Sequence, residues 1–178
     1  ARFAEIGFGG QFQDLFLTTA AYVNQDTAPL YGVTGTFGAD LTRVELDAAV
    51  RPGILTRGAF LSSFAHEDDT SPILRGAFIV TLMGGSVGNP DPEALKIPIP
   101  EGEYANNREA ITALTSVSAE CVACHEKIIN PPGFVVENFS AIGSIQTTDP
   151  GWEKGPIDTK VDTVAFPDGA RAVNNAKE

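Results

Sequence analysis

The chain has 178 residues, and its hydrophobic fraction of 43% is sufficient for a folded core of ordinary size. It carries 23 acidic against 12 basic residues, and the formal charge of −11 repels phosphate backbones and anionic membrane surfaces. No apolar run approaches the ~18 residues that cross a bilayer. These values disfavour disorder and nucleic-acid binding, and they predict a globular protein without a membrane span.

Hydrophobic periodicity predicts the first elements. Apolar side chains recur at helical spacing within residues 1–32, which predicts a helix there, although three glycines near its start lower the propensity. Thr42 to Leu46 alternates briefly between polar and apolar residues and favours a short strand. The turn residues Arg-Pro-Gly at 51–53 then precede an apolar segment, 54–64, whose spacing predicts one buried helical face.

Helix signals are clearer in the middle of the chain. The Thr-Ser-Pro run at 70–72 combines a capping hydroxyl with a first-turn proline, so a helix is expected to begin there and to end at Gly84-Gly85. Four prolines make residues 86–104 an extended loop. A further helix is expected from Asn107 to about Ala119, and it would lead the chain directly to Cys121.

The last part of the chain is expected to contain little regular structure. The Pro-Pro-Gly run at 131–133 should break the chain, and residues 144–178 are rich in glycine, proline and aspartate. The predicted fold class is therefore mainly α, with extensive loops and few or no strands.

The chain's only two cysteines lie in Cys121-Val122-Ala123-Cys124-His125, the Cys-x-x-Cys-His signature of c-type haem attachment. Two cysteines on one turn can form thioethers along one porphyrin edge, and the following histidine can then coordinate the iron. A thioredoxin-like pair needs no such histidine and usually lies in a βαβ unit, and a zinc site needs more ligands than this chain offers. The motif predicts one covalent haem c.

Covalent haem attachment takes place outside the cytoplasm, so a periplasmic or extracellular location is expected. The chain begins at Ala1 without an initiator methionine or a leader, which fits removal of a leader or a piece of a longer polypeptide.

The second axial position of the iron has three candidates. His66 is the only other histidine and precedes the predicted helix start, and it is the favoured ligand. Met83 is the only methionine, but a lone methionine at helical spacing is more often core filler. The third candidate is water or an open site. Arg75 can pair bidentately with a haem propionate, although an ordinary salt bridge fits a helical arginine as well.

Several blocks in order along the chain resemble one known module. They are Arg51–Thr56, His66 with Thr70-Ser71-Pro72 and Arg75-Gly76, the haem motif, Pro132–Phe134 with Glu137–Phe139 and Ala141–Gly143, Pro156–Asp158, and Phe166–Gly169. This series resembles the haem-binding module of the planctomycete-type cytochrome c-like proteins, which are exported multi-domain proteins without an established activity.

The resemblance implies a cytochrome c-like haem-binding domain over residues 51–178, with His66 and Arg75 in the haem pocket. Residues 1–50 would be the end of a preceding helical domain or a docking arm. Two positions depart from the family pattern: Glu67 replaces the usual proline, and Asn130 stands where the family often has aspartate.

Two classes of function remain in competition, together with a structural role for the haem. A haem with two protein axial ligands would pass single electrons to a redox partner protein, or to other chains or domains of the same precursor. A haem enzyme of the peroxidase or oxidase type would need an open or displaceable sixth position, with His66 above it and Arg75 or Glu67 in support. Electron transfer is favoured because no second acid–base constellation is visible.

Overall fold

The computed structural model describes residues 11–67, 69–89, 92–93, 96–150 and 155–178. The helices are α1 (Asp14–Leu17), α2 (Gly58–Ser63), α3 (Pro72–Leu82), α4 (Asn107–Thr115), α5 (Ala119–Cys124) and α6 (Asn130–Phe134). The strands are β1 (Ala20–Val23), β2 (Thr42–Glu45), β3 (Val161–Phe166) and β4 (Gly169–Val173). Short 3-10 turns lie at Pro29–Tyr31 and Ile54–Thr56, and a π-helical turn covers His125–Ile129.

The N-terminal segment differs from the single helix predicted for residues 1–32. Residues 1–10 lie outside the described part, and beyond them α1 ends at Leu17 and is followed by β1. Strand β1 pairs antiparallel with β2, which confirms the predicted strand near Thr42. The helix prediction is wrong over β1 because pairing with a partner about twenty residues away outweighs local helical spacing.

The segment predicted as one helix over residues 54–64 is divided in the structure. A 3-10 turn is followed by Arg57 in an extended conformation, with ψ of 143°, and only then does α2 begin. The expected face of Leu55, Ala59, Leu61 and Phe64 is present only in part, since Leu61 is buried and Ala59 is exposed. Phe60, which was not expected on that face, is buried instead.

Helix α3 begins and ends as predicted. The Ser71 side chain accepts a hydrogen bond from the Leu74 backbone N–H, and Pro72 occupies the first turn. Gly84 follows the helix with φ of +83°, a conformation that glycine adopts without steric cost.

Helix α3 crosses the π-helical turn and α6 at very short range. A Cβ added to Gly76 would lie 1.9 Å from the carbonyl oxygen of Ile129, and one added to Gly133 would lie 2.0 Å from that of Pro72.

The predicted chain break at residues 131–133 is wrong. Both prolines fall in the first turn of α6, directly after the π-helical turn, and the chain stays helical through them.

The C-terminal segment contains a β-hairpin, so the prediction of loop throughout residues 144–178 is wrong. Strands β3 and β4 pair antiparallel, with Phe166 opposite Gly169. One face of the hairpin is buried against α4 and α6. This first core cluster contains Ile111, Phe134, Val135, Val161, Val164 and Val173.

A second core cluster lies between α2, α3 and the turn after α6. It contains Phe60, Leu61, Ile79, Val136 and Phe139. With two small two-stranded sheets beside the helices, the described residues form a mixed fold rather than a mainly α fold with few or no strands. The hairpin was missed because its valines are buried by residues distant in sequence.

Two buried arginines connect the segment before residue 50 to the segment after it. Arg51 Nη2 donates a hydrogen bond to the Leu30 carbonyl oxygen at 2.9 Å, and Arg57 Nη2 donates to that of Thr18 at 2.9 Å. The division into residues 1–50 and 51–178 as separate domains stays a prediction.

Among the described residues, no helix has both the length and the apolar character needed to cross a membrane.

Candidate functional site

The Cys-x-x-Cys-His motif lies on α5 and on the π-helical turn that follows it. Helix α4 was expected to continue to about Ala119, but it ends at Thr115 and α5 begins anew. The new start has a local cause, since the Ser118 hydroxyl accepts a hydrogen bond from the Cys121 backbone N–H at 3.2 Å. Cys121 is therefore placed in the first turn of α5.

Both cysteines are free thiols on one turn of α5. Cys121 is half-buried and Cys124 is exposed, and no residue of α5 is buried. Large apolar side chains flank the motif at the surface: Val117 is 48% exposed and Ile128 is 39% exposed. A short helix that buries none of its residues gains little from packing, so an apolar group lying against it would add contacts that the described chain does not supply.

His125 follows the second cysteine and opens the π-helical turn. Its side chain is half-buried, and its Nδ1 atom is buried without a hydrogen-bond partner. The turn is closed by the Asn130 backbone N–H, which donates to the His125 carbonyl oxygen. The Ser116 hydroxyl also donates to the Glu126 carboxylate, which connects the end of α4 to this turn.

The two candidates for the second axial position lie in different surroundings. His66 is exposed, in the loop between α2 and α3, where its backbone N–H donates to the Asp69 carbonyl oxygen at 2.9 Å. Met83 follows α3 and packs against both core clusters, as a core residue does. Ligation by either residue stays a prediction.

Arg75 is fully buried, with 0% of its surface exposed. Its Nη1 donates to the carbonyl oxygen of Phe139 at 2.8 Å, and its Nη2 donates to that of Ser140 at 2.9 Å. Burial lowers the pKa of this guanidinium, and the negative charge of Glu137 opposes that shift. The Arg75 guanidinium is therefore hydrogen-bonded to backbone carbonyl oxygens. Its pairing with a haem propionate stays a prediction.

The sequence reasoning missed a buried polar cluster that contains Glu137. The Thr70 hydroxyl donates to the Glu137 carboxylate, and the Asn107 amide donates to Thr70 Oγ1 at 3.0 Å. The Asn107 backbone N–H donates to the Asp149 carboxylate at 2.7 Å. Burial raises the pKa of Glu137 to about 7, against the opposing effects of the Thr70 hydrogen bond and the Arg75 charge. In the sequence, the signal for this buried cluster was Glu137 itself, a charged residue directly after the apolar pair Val135-Val136.

The residues present at the motif fit a covalently attached haem. Two free thiols three residues apart meet the requirement for two thioethers, and the adjacent imidazole can supply a nitrogen ligand. A bound porphyrin would cover the surface that α5 leaves exposed. The buried Nδ1 of His125 has no hydrogen-bond partner, so it is available to a group that orients the ring. Within the described part of the chain, no three His, Cys, Asp or Glu side chains form a metal-binding cluster.

Residues 51–149 match a family model described as "PSCyt3: Protein of unknown function (DUF1588)". The match covers more than half of the chain, so the chain belongs to this family, whose name indicates a cytochrome-like protein. The start of the match coincides with the predicted opening of the module at Arg51. No curated protein and no solved structure matches the chain.

Proposed function

We propose that this chain is an exported c-type cytochrome module with one covalent haem that acts in single-electron transfer. Cys121 and Cys124 would hold the haem, and His125 would be its proximal axial ligand. The module would act within a longer polypeptide or a multi-chain complex, with a redox partner protein as its electron donor or acceptor.

The observation that carries the proposal is the geometry of α5. Both thiols lie on one turn, neither is buried, and the helix that bears them buries none of its residues. His125 follows at once and has its Nδ1 in the protein interior. Membership in a cytochrome-like family supports the same reading.

The chain's own residues would tune and orient the bound haem, which supplies a one-electron couple. The exposed Val117 and Ile128 would lie against its apolar surface, and the π-helical turn would fix the direction of the His125 ring. The acidic net charge of −11 would favour a partner with a basic docking face.

A haem enzyme of the peroxidase or oxidase type is the second candidate, and one observation favours it. His66 is exposed on a loop rather than packed in the interior, which suits a group that can leave the iron or act beside it. Arg75 is less suited to a distal catalytic role because its guanidinium is committed to backbone carbonyls.

The test of haem attachment is expression in a host that exports the chain together with a c-type haem attachment system. We expect a mass increase of one haem and a haemochrome spectrum with two thioethers in the wild type. C121S and C124S should each retain at most one thioether, and the double variant none. A wild-type protein that matures without covalent haem would overturn the proposal.

The two functional classes differ in the coordination of the loaded protein. Optical and EPR spectra of the wild type and of H66A, with carbon monoxide added to the reduced forms, distinguish them. If the wild-type iron is low-spin and does not bind carbon monoxide, whereas the iron of H66A binds it, the iron has two histidine ligands and the protein is an electron carrier. High-spin wild-type iron that binds carbon monoxide rapidly contradicts ligation by His66 and favours the enzyme.

A further inference from the structure

Two complementary polar atoms lie unpaired at the two ends of the π-helical turn. His125 Nδ1 and Asn130 Oδ1 are both buried without a hydrogen-bond partner, and Asn130 is only 1% exposed. The Asn130 N–H donates to the His125 carbonyl oxygen, which is the i to i+5 bond of a π-turn. Residues joined by that bond are about one turn of the helix apart, so their positions lie near the same side of the helix axis.

The hydrogen bonds of Thr115 determine which way the Asn130 amide faces. The Thr115 hydroxyl donates its proton to the Ile111 carbonyl oxygen at 2.8 Å, so it can only accept from Asn130. Asn130 Nδ2 is the donor in that bond, at 2.9 Å. The amide oxygen must therefore point away from Thr115, and it keeps its acceptor capacity for another group.

We propose that Asn130 is a positioning residue for His125, with its Oδ1 accepting a hydrogen bond from His125 Nδ1–H when Nε2 serves as the axial ligand. The two atoms are not hydrogen-bonded in the structure, and pairing them would satisfy both buried groups at once. The inference rests on the proposed function, because it concerns the histidine that would bind the iron.

Metal-binding histidines generally donate their second N–H to an oxygen acceptor, which fixes the tautomer and the ring orientation. The strength of that acceptor changes how much electron density the imidazole gives to the metal, and hence the reduction potential. A neutral amide oxygen is a moderate acceptor. A carboxylate at the same position would be a stronger one and would stabilise the oxidised state.

The experiment compares the haem-loaded wild type with N130D and N130L. In N130D we expect a lower reduction potential, and in N130L a higher one. The His125 Nδ1–H proton, observed by NMR of ¹⁵N-labelled reduced protein, should exchange with solvent more slowly in the wild type than in N130L. The chain contains only two histidines, which makes the assignment direct.

A matched control is N138D, because Asn138 also has a buried Oδ1 without a partner but lies outside the π-helical turn. It should leave Nδ1–H exchange unchanged and move the potential less than N130D does. If N130L does not fold, the reduction potential and the Nδ1–H exchange rate of N130D test the role of Asn130.

The outcomes separate the two proposals. Covalent haem in every variant, with potential and Nδ1–H exchange unaffected in N130D, overturns the role of Asn130 and leaves the cytochrome proposal intact. A wild-type protein that attaches no haem overturns the cytochrome proposal, and the role of Asn130 with it.

Discussion

Glu137 is a carboxyl group in the interior, close to three other charged groups: Arg75, Asp69 and Asp149. Only one of its oxygens accepts a hydrogen bond, from Thr70, and the other is buried without a partner. Removing a carboxylate from water disfavours its charged form, and the single Arg75 charge does not offset this. The pKa of Glu137 is therefore raised from 4.5 to about 7.

A raised pKa predicts how stability depends on pH. The folded protein keeps the Glu137 proton up to about pH 7, whereas the unfolded chain releases it near its usual pKa of 4.5. The contribution of this group to stability is therefore complete below the unfolded pKa and is lost as pH rises through the folded pKa. The loss amounts to at most about 3.5 kcal/mol, at about 1.4 kcal/mol per pKa unit.

The variant E137Q tests this prediction because it keeps an oxygen that can accept from Thr70 but does not titrate. Urea unfolding between about pH 5 and about pH 8 should show that wild-type stability falls relative to E137Q as pH rises. E101Q, at an exposed glutamate, is the control and should follow the wild type. Parallel pH profiles for wild type and E137Q would contradict the raised pKa.

At this scale, the placement of side chains that depends on local spacing could be predicted, and the contacts that depend on burial could not. Cys121, Cys124 and His125 are adjacent in sequence, so their shared turn follows from their spacing alone. Thr70 and Glu137 are 67 residues apart, and only the fold brings their side chains together. For the same reason, the surroundings of Arg75 were not evident from its helix.

The crossing of α3 over the π-helical turn depends on a residue without a side chain. Gly76 lies on the buried face of α3, and a Cβ there would meet the Ile129 carbonyl oxygen at 1.9 Å. A carbonyl oxygen within a helical turn cannot rotate away as the end of a flexible side chain can. The helix itself must move instead.

The variant G76A is therefore expected to lose about 1–3 kcal/mol of stability or more, from overpacking against the backbone. Chemical or thermal unfolding measures the loss. G38A is the matched control, because no atom lies within 4 Å of the Cβ position at Gly38 and its φ is not in the left-handed region. An unfolding free energy for G76A equal to that of G38A would show that α3 does not approach the turn so closely.

The elements that could be predicted are those whose signals are local. The start of α3 follows from Ser71 and Pro72, and its end from Gly84. Strand β1 and the hairpin of β3 and β4 become strands through partners and core contacts far along the chain. The chain break predicted at residues 131–133 was wrong because proline is tolerated in the first turn of a helix, whereas it breaks a helix at an interior position.

For the molecule as a whole, buried arginines connect distant segments by donating to backbone carbonyl oxygens. Arg57 donates to the carbonyl oxygens of Thr18 and Ala20, before and within β1, and also to that of Arg51 at 2.8 Å. Burial lowers the pKa of this guanidinium, with a smaller opposing effect from nearby Tyr31. A planar fork that reaches several carbonyls at once has no equivalent in lysine.

The sheet of β1 and β2 should therefore depend on Arg57 more than the helical core does. In R57K the ammonium cannot reproduce the fork, and we expect the unpaired carbonyls to cost about 1–3 kcal/mol. Backbone amide exchange should accelerate most in β1 and β2 and least in α3. R43K is the control, since Arg43 lies on β2 but is exposed and pairs with Glu45 at the surface. Equal acceleration in β1 and α3 would mean that the N-terminal segment and the helical core open as one unit, and that the buried guanidinium stabilises the whole fold rather than this junction.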